Sequence, residues 1–97
     1  SMLTPLSQSL QKSVRYLEID QTKVGATIKK LVVHGYNIAY FELMVRNGEE
    51  LTVPEFEEIQ TETFKKTFVF KDAICPDCLR LEFNTEKTVE LYEIEAF

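Results

Sequence analysis

The sequence predicts an all-β fold, an antiparallel β-sandwich or barrel, and three observations favour it. Apolar and polar residues alternate with the period of a half-buried strand in several stretches of the chain. Turn-forming residues separate these stretches about every ten to thirteen residues, as in small sandwiches and barrels. No stretch shows the apolar spacing of a long helix. We therefore predict seven strands, at residues 13–20, 26–33, 38–46, 50–53, 64–71, 78–83 and 88–97.

The N-terminal part of the chain supplies the first two of these strands. Residues 4–13 are polar, with leucines at three- and four-residue spacing, which allows either a short helical turn or an extended arm. Residues 13–20 alternate as a strand, and 21–25 form a polar turn. The strand at 26–33 is expected to end at His34-Gly35-Tyr36-Asn37, because Gly and Asn favour turns.

The central strands form the best-defined hairpin. Residues 38–46 alternate cleanly up to Asn47-Gly48, the dipeptide that a type I′ turn prefers because both of its central positions need positive φ. The return strand at 50–53 is ended by Pro54, which cannot donate to a ladder. The acidic segment 55–61 is predicted to be mostly loop.

The C-terminal strands end the domain. Residues 64–71 lead to a turn at Asp72-Ala73, and 78–83 direct Leu79, Leu81 and Phe83 to the core. In the closing strand the apolar residues change from one face to the other between Leu91 and Tyr92. The switch predicts either a β-bulge or a strand covered on both faces. A bulge there would mark a functional rim or simply bend the strand around the sandwich.

Composition limits the possible classes of function. A chain of 97 residues with 44% hydrophobic residues is a single globular domain, which we place at 3–97. Ser1-Met2 resembles a cloning remnant, so the domain is expected to be excised from a larger protein. The net charge is −5, and lysines cluster only as Lys29-Lys30 and Lys65-Lys66. Nucleic acid and anionic membranes are therefore not expected as partners.

Three stretches carry a resemblance to a known superfamily. They are Tyr16-Leu17-Glu18-Ile19-Asp20 with the apolar strand after it, the hairpin at 41–51, and the ending formed by 78–83 with 89–97. Together they resemble the galactose-binding-like superfamily of discoidin and coagulation factor 5/8 type C domains. The resemblance implies a jelly-roll β-sandwich that binds carbohydrate without catalysis. The chain is shorter than usual members, has Gln21-Thr22 where they have a glycine, and contains no Trp, which favours protein contacts over sugar.

Cys75-Pro76-Asp77-Cys78 is a C-x-x-C sequence with three interpretations. A redox site would need the start of a helix, but a strand is predicted to follow. A structural zinc site needs four ligands, and only His34 remains as a further strong candidate. A loop with two thiols or one local disulfide is the favoured interpretation, because Pro-Asp is ordinary turn chemistry.

The segment around His34 is the most ligand-like part of the sequence. Aromatic faces stack on sugar rings or peptide groups, while imidazole, amide and guanidinium groups bond to hydroxyls. The alternative is that both tyrosines lie at the edge of the core and that the histidine is a solvated strand-end residue. The predicted ligand-binding residues are His34, Tyr36, Asn37, Tyr40 and Arg46.

Acidic residues suggest a cation as the one expected cofactor. The resemblance implies that a glutamate of the terminal strand helps to bind a structural calcium ion, and Glu93 is the position that fits, with Asp20 as a second ligand. The alternative is a solvated acidic surface that only keeps the protein soluble.

No catalytic set of residues emerges, so we do not expect an enzyme. The sequence favours a binding module that recognises a glycan or a protein partner through loops at one end of the sandwich. The alternative is a structural accessory domain that packs on a neighbouring domain of the parent chain and exposes an apolar patch.

Overall fold

A computed structural model describes residues 2–10, 16–22, 25–83 and 85–97, with 2–10 as backbone only. Ser1, Asn84 and the predicted strand start at 13–15 lie outside the described residues. The described part contains no helix and hence no helical span that could cross a membrane. Its strands are β1 (Met2–Leu10), β2 (Tyr16–Asp20), β3 (Ile28–Tyr36), β4 (Phe41–Asn47), β5 (Glu50–Thr52), β6 (Phe56–Thr61), β7 (Lys65–Ile74), β8 (Cys78–Phe83) and β9 (Val89–Ala96).

The strands form two antiparallel sheets that pack as a β-sandwich, so the predicted fold class is confirmed. One sheet has five strands in the order β1-β9-β3-β7-β6, and the other has four in the order β2-β8-β4-β5. The chain crosses repeatedly between the sheets, and every neighbouring pair is antiparallel. Each sheet therefore has an inner face toward the core and an outer face toward solvent.

The core lies between the sheets and is rich in phenylalanine. The ring of Phe68 in β7 lies 5.4 Å from that of Phe41 in β4 and 5.3 Å from that of Phe56 in β6, measured between centroids. Lys66 is buried beside them, and its ammonium group donates to the carbonyls of Ala39 (2.8 Å) and Phe41 (3.3 Å). Burial lowers the pKa of this amine. The predicted inward positions Leu79, Leu81 and Phe83 are confirmed as buried.

The predicted hairpin is confirmed, but its turn type is not the predicted one. Asn47 pairs with Glu50, which leaves Gly48 and Glu49 as the two loop residues. Gly48 has φ of +61°, whereas Glu49 is not among the described residues with positive φ. A glycine at the first central position is the requirement of a type II′ turn, so the turn lies one residue later than predicted.

The prediction of a loop at 55–61 is wrong, because β6 forms there. Phe56, opposite Phe70, is partly buried against the core, whereas Ile59, opposite Phe68, is 49% exposed. A register shift between Phe56 and Glu58 marks a bulge, and this bulge hides the period-two pattern.

Two other boundaries also differ from the sequence prediction. The backbone of β1 is extended and pairs with β9, so of the two options for the N-terminal segment the extended arm is confirmed for the residues up to Leu10. The predicted turn at Asp72-Ala73 is wrong, because β7 continues to Ile74.

The predicted bulge in the closing strand is confirmed. His34 pairs with Glu93 and Gly35 pairs with Leu91, so Tyr92 is the extra residue of β9. Leu91 and Ile94 are therefore both completely buried despite an odd spacing. The residues that follow Tyr92 thereby change face, which decides what lies on the outside of the five-stranded sheet.

Candidate functional site

The outer face of the five-stranded sheet carries two of the predicted ligand-binding residues. The prediction that the strand ends at His34 is wrong, because β3 continues to Tyr36. Leu31 and Val33 point into the core, and alternation turns His34 and Tyr36 outward. Asn37 ends the strand with φ of +59°, and its amide donates to the carbonyl of Thr88 at 2.8 Å. The Asn37 side chain is thus engaged in connecting two loops.

Three aromatic side chains lie near one another beside β3, and we call them the aromatic face: Tyr36, Phe64 and Tyr92. They are 44%, 55% and 44% exposed, respectively. The rings of Tyr36 and Phe64 are stacked, with centroids 6.0 Å apart and planes at 27°. The amide of Gly35 donates to the carbonyl of Phe64 at 3.0 Å, which holds this stack against the strand. Desolvation raises the pKa of the Tyr92 hydroxyl, and nearby Glu90 and Tyr36 raise it further.

Next to the aromatic face lies a group that we call the His–Glu cluster: His34, Glu93 and Glu95. The Nε2–H of His34 donates to Oε1 of Glu95 at 2.7 Å. Glu93 is the direct cross-strand partner of His34. One ligand atom from each of the three residues lies within 4.8 Å of the others, and all three side chains are half-buried. The cluster is therefore a rigidly mounted set of one nitrogen and two oxygen donors.

The other predicted site residues lie elsewhere. Arg46 follows the inward-facing Val45 and so projects from the outer face of the other sheet, where its Nε donates to Glu18 at 3.3 Å. Tyr40 is 74% exposed just before β4. Asp20 also lies on that other sheet, and its carboxylate accepts bonds from the amide (2.9 Å) and hydroxyl (2.6 Å) of Thr22. The structure thus brings His34, Tyr36 and Glu93 together but does not bring Arg46 or Asp20 to them.

The two cysteines are free thiols, and the environment of Cys78 makes its thiol a poor nucleophile. Its Sγ donates to Oε2 of Glu18 at 3.4 Å, an oxygen that Arg46 also contacts. Burial, followed by the bond to Glu18, raises the pKa of the Cys78 thiol to about 11. Because the thiolate is the reactive form, this environment opposes redox and nucleophilic chemistry at neutral pH. The bond to Cys78 in turn lowers the pKa of the Glu18 carboxyl.

The raised pKa of the Cys78 thiol predicts that the protein loses stability in alkaline solution. The pKa of Cys78 rises from 9.0 to about 11 on folding. The protonated thiol therefore contributes fully to the free energy of unfolding below pH 9, and this contribution disappears as the pH approaches 11. Because the side chain is partly exposed, the expected loss is about 1 kcal/mol. Urea unfolding of the reduced protein at pH 8 and pH 10.5 measures it. Cys78→Ala should remove this loss of stability between the two pH values, and Cys75→Ala should keep it. An equal loss in the parent protein and both variants would contradict the prediction.

Sequence reasoning missed two important members of this surface. Phe64 opens the predicted strand 64–71, whereas in the structure it precedes β7 and stacks on Tyr36. Glu95 stands out in the sequence only as one of several acidic residues, because its proximity to His34 depends on the pairing of β3 with β9. The available signal was the phase switch at Tyr92, since a bulge there turns the following glutamates outward.

An apolar cleft of about 230 Å³ opens between the edges of the two sheets. Val53 and Ile59 at its rim are 58% and 49% exposed, and Phe41, Leu43 and Phe56 form its walls. Packing on a neighbouring domain of the parent chain, the alternative drawn from the sequence, stays a prediction. No family model, curated protein or solved structure matches this chain.

Proposed function

We propose that this domain is a non-catalytic binding module that recognises a glycan with the aromatic face and the adjoining His–Glu cluster. The observation that carries the proposal is the juxtaposition of exposed stacked rings with half-buried hydrogen-bonding groups on one sheet face. Aromatic rings offer apolar faces to the C–H side of a pyranose, while carboxylate oxygens accept bonds from its hydroxyls. The proposed surface is the sheet face rather than loops at one end of the sandwich.

The strand order supports a jelly roll of the galactose-binding-like type within this proposal. Two interleaved Greek keys generate the observed strand order, which is β1-β9-β3-β7 in one sheet and β2-β8-β4-β5 in the other. In this arrangement β6 is an addition at the edge of the larger sheet. The jelly roll exposes broad sheet faces, on which a ligand platform of this kind can be mounted.

The open position of this surface suits binding better than catalysis. The aromatic rings are about half exposed, and the carboxylates of Glu93 and Glu95 project from a sheet face rather than from a deep cleft. Enzymes usually exclude water around the reacting bond, which an open face does not do. We therefore assign this surface to binding rather than to catalysis.

The charge of this surface predicts which glycans bind. Glu90, Glu93 and Glu95 follow one another along the outer side of β9, and Lys65, opposite His34, has its ammonium group 3.6 Å from Glu62. Like charges at close range repel, so sialylated, sulfated and uronic acid glycans should be excluded. Neutral and amino sugars are the expected ligands.

Binding to a glycan array, followed by NMR titration of the best neutral sugar, tests the proposal. Tyr36→Ala and Phe64→Ala should each weaken binding at least tenfold, about 1.4 kcal/mol, because each removes half of the ring stack. Tyr16→Ala is the matched control: this tyrosine is 46% exposed but belongs to β2 in the other sheet, and it should bind normally. No neutral or amino sugar bound at millimolar concentration, or equal losses in all three variants, would refute the proposal.

A further inference from the structure

We infer that His34, Glu93 and Glu95 bind a divalent transition-metal ion of the zinc class. The three residues supply one imidazole nitrogen and two carboxylate oxygens, whose ligand atoms lie within 4.8 Å of one another. Zinc binds such donors at about 2.0–2.2 Å in a tetrahedron, which separates neighbouring donors by about 3.4 Å. To reach this geometry the most distant donors, up to 4.8 Å apart, close by about 1.4 Å, and the His34–Glu95 pair, now at 2.7 Å, opens by about 0.7 Å.

The backbone holds these donors in place before any ion arrives. Strict alternation from the buried Leu91 would turn Glu93 toward the core, but the extra residue Tyr92 turns Glu93 and Glu95 outward. Glu93 then lies directly across from His34, and Glu95 lies across from Val32, one position further along the same face. Sites mounted on paired central strands keep their geometry better than sites on loops.

The donor set selects the class of metal. Calcium takes six to eight oxygen ligands, so a site with an imidazole and two carboxylates serves it poorly. Imidazole with carboxylate suits zinc and the neighbouring first-row ions, with water in the remaining position. The calcium ligand predicted at Glu93 is thereby reassigned to a zinc-class site, with His34 and Glu95 in place of Asp20.

Local charge also favours a cation. Among the side chains that the structure describes, the one partner of these two carboxylates is His34, whose ring N–H is shared with Glu95. Within the described side chains, the carboxylate of Glu93 has neither a hydrogen bond nor an ion pair. Lys65, the partner of His34 on β7, has its ammonium group beside Glu62. A metal ion replaces the shared proton and neutralises a carboxylate that is otherwise unopposed.

Isothermal titration with zinc sulfate tests the inference. The protein should carry Cys75→Ser and Cys78→Ser, because free thiols also bind zinc. We expect one zinc ion per chain with a Kd in the micromolar range, and at least tenfold weaker binding after His34→Gln, Glu93→Gln or Glu95→Gln. Glu90→Gln lies on the same strand outside the cluster and should change the Kd less than twofold.

The single histidine of the chain provides a second readout. Zinc should shift the imidazole NMR signals of His34, and circular dichroism should show that each variant keeps its fold. Calcium should bind at least a hundredfold more weakly than zinc. The inference is overturned if zinc does not bind, if it binds without moving the His34 signals, if the folded Gln variants bind as tightly as the parent protein, or if calcium binds equally well.

Discussion

Replacing Gly35 by alanine is expected to lower the free energy of unfolding by about 3 kcal/mol, and replacing it by valine should prevent stable folding. Gly35 lies where β3 meets the bulge of β9. A Cβ atom there would collide with the carbonyl oxygen of Glu90 and lie 2.9 Å from the Cγ2 atom of Ile38. The carbonyl belongs to the backbone of the neighbouring strand, so only a displacement of β9 relieves the contact. Urea unfolding of both variants measures the loss.

Gly25→Ala is the matched control for this substitution. Gly25 has φ of +62°, and no atom of the described residues lies within 4 Å of the position that an added Cβ would occupy, so alanine there meets conformational strain of about 1–2 kcal/mol. Gly35 does not have positive φ, and alanine there meets only steric contact. If Gly35→Ala cost no more than Gly25→Ala, the close approach of β3 to β9 would be contradicted.

The same substitution connects stability with the functional surface. The register of β3 against β9 places Glu93 across from His34, and Gly35 is the next residue along β3. A displacement of β9 at Gly35 would separate these donors. Any Gly35→Ala protein that still folds should therefore bind zinc more weakly, although Gly35 contributes no ligand atom. Gly25→Ala should leave zinc binding unchanged.

Local patterns predicted much of the fold. Alternation in 78–83 and the phase switch at Leu91-Tyr92 both correspond to structure, because burial on one sheet face forces a period of two residues and a bulge shifts it by one. The same rule failed at β6, where a bulge within a short acidic strand removed the pattern. The turn preference of glycine gave a wrong strand end at Gly35, where a glycine is needed inside the strand because the neighbouring backbone comes too close for any side chain.

The site was less predictable because it depends on strand pairing. His34 and Glu95 are far apart in the chain and meet only because β3 and β9 are neighbours. Arg46 is closer to His34 in sequence, yet it lies on the outer face of the opposite sheet. Periodicity indicates which residues share a face of one strand, but it does not indicate which strand comes next in the sheet.

Replacing Phe68 by alanine is expected to cost about 4 kcal/mol, the usual range for removing a fully buried aromatic side chain. Phe68 is 2% exposed, and its ring packs between those of Phe41 and Phe56, which come from both sheets. The ring also lies 5.6 Å below the ammonium group of Lys66, so its loss weakens the contacts of a buried charge. Thermal and urea unfolding should both show the loss, with Tm lowered by more than ten degrees on the scaling for about 100 residues.

Phe64→Ala is the matched control, and the contrast separates the core from the functional surface. Phe64 lies four residues before Phe68 but is 55% exposed, so its removal should cost less than about 1 kcal/mol. It should nevertheless abolish half of the ring stack with Tyr36 and weaken glycan binding. Phe68→Ala should show the opposite pattern, with reduced stability and unchanged affinity in the fraction that remains folded. Equal stability losses for the two phenylalanines would contradict the assignment of one to the core and the other to the aromatic face.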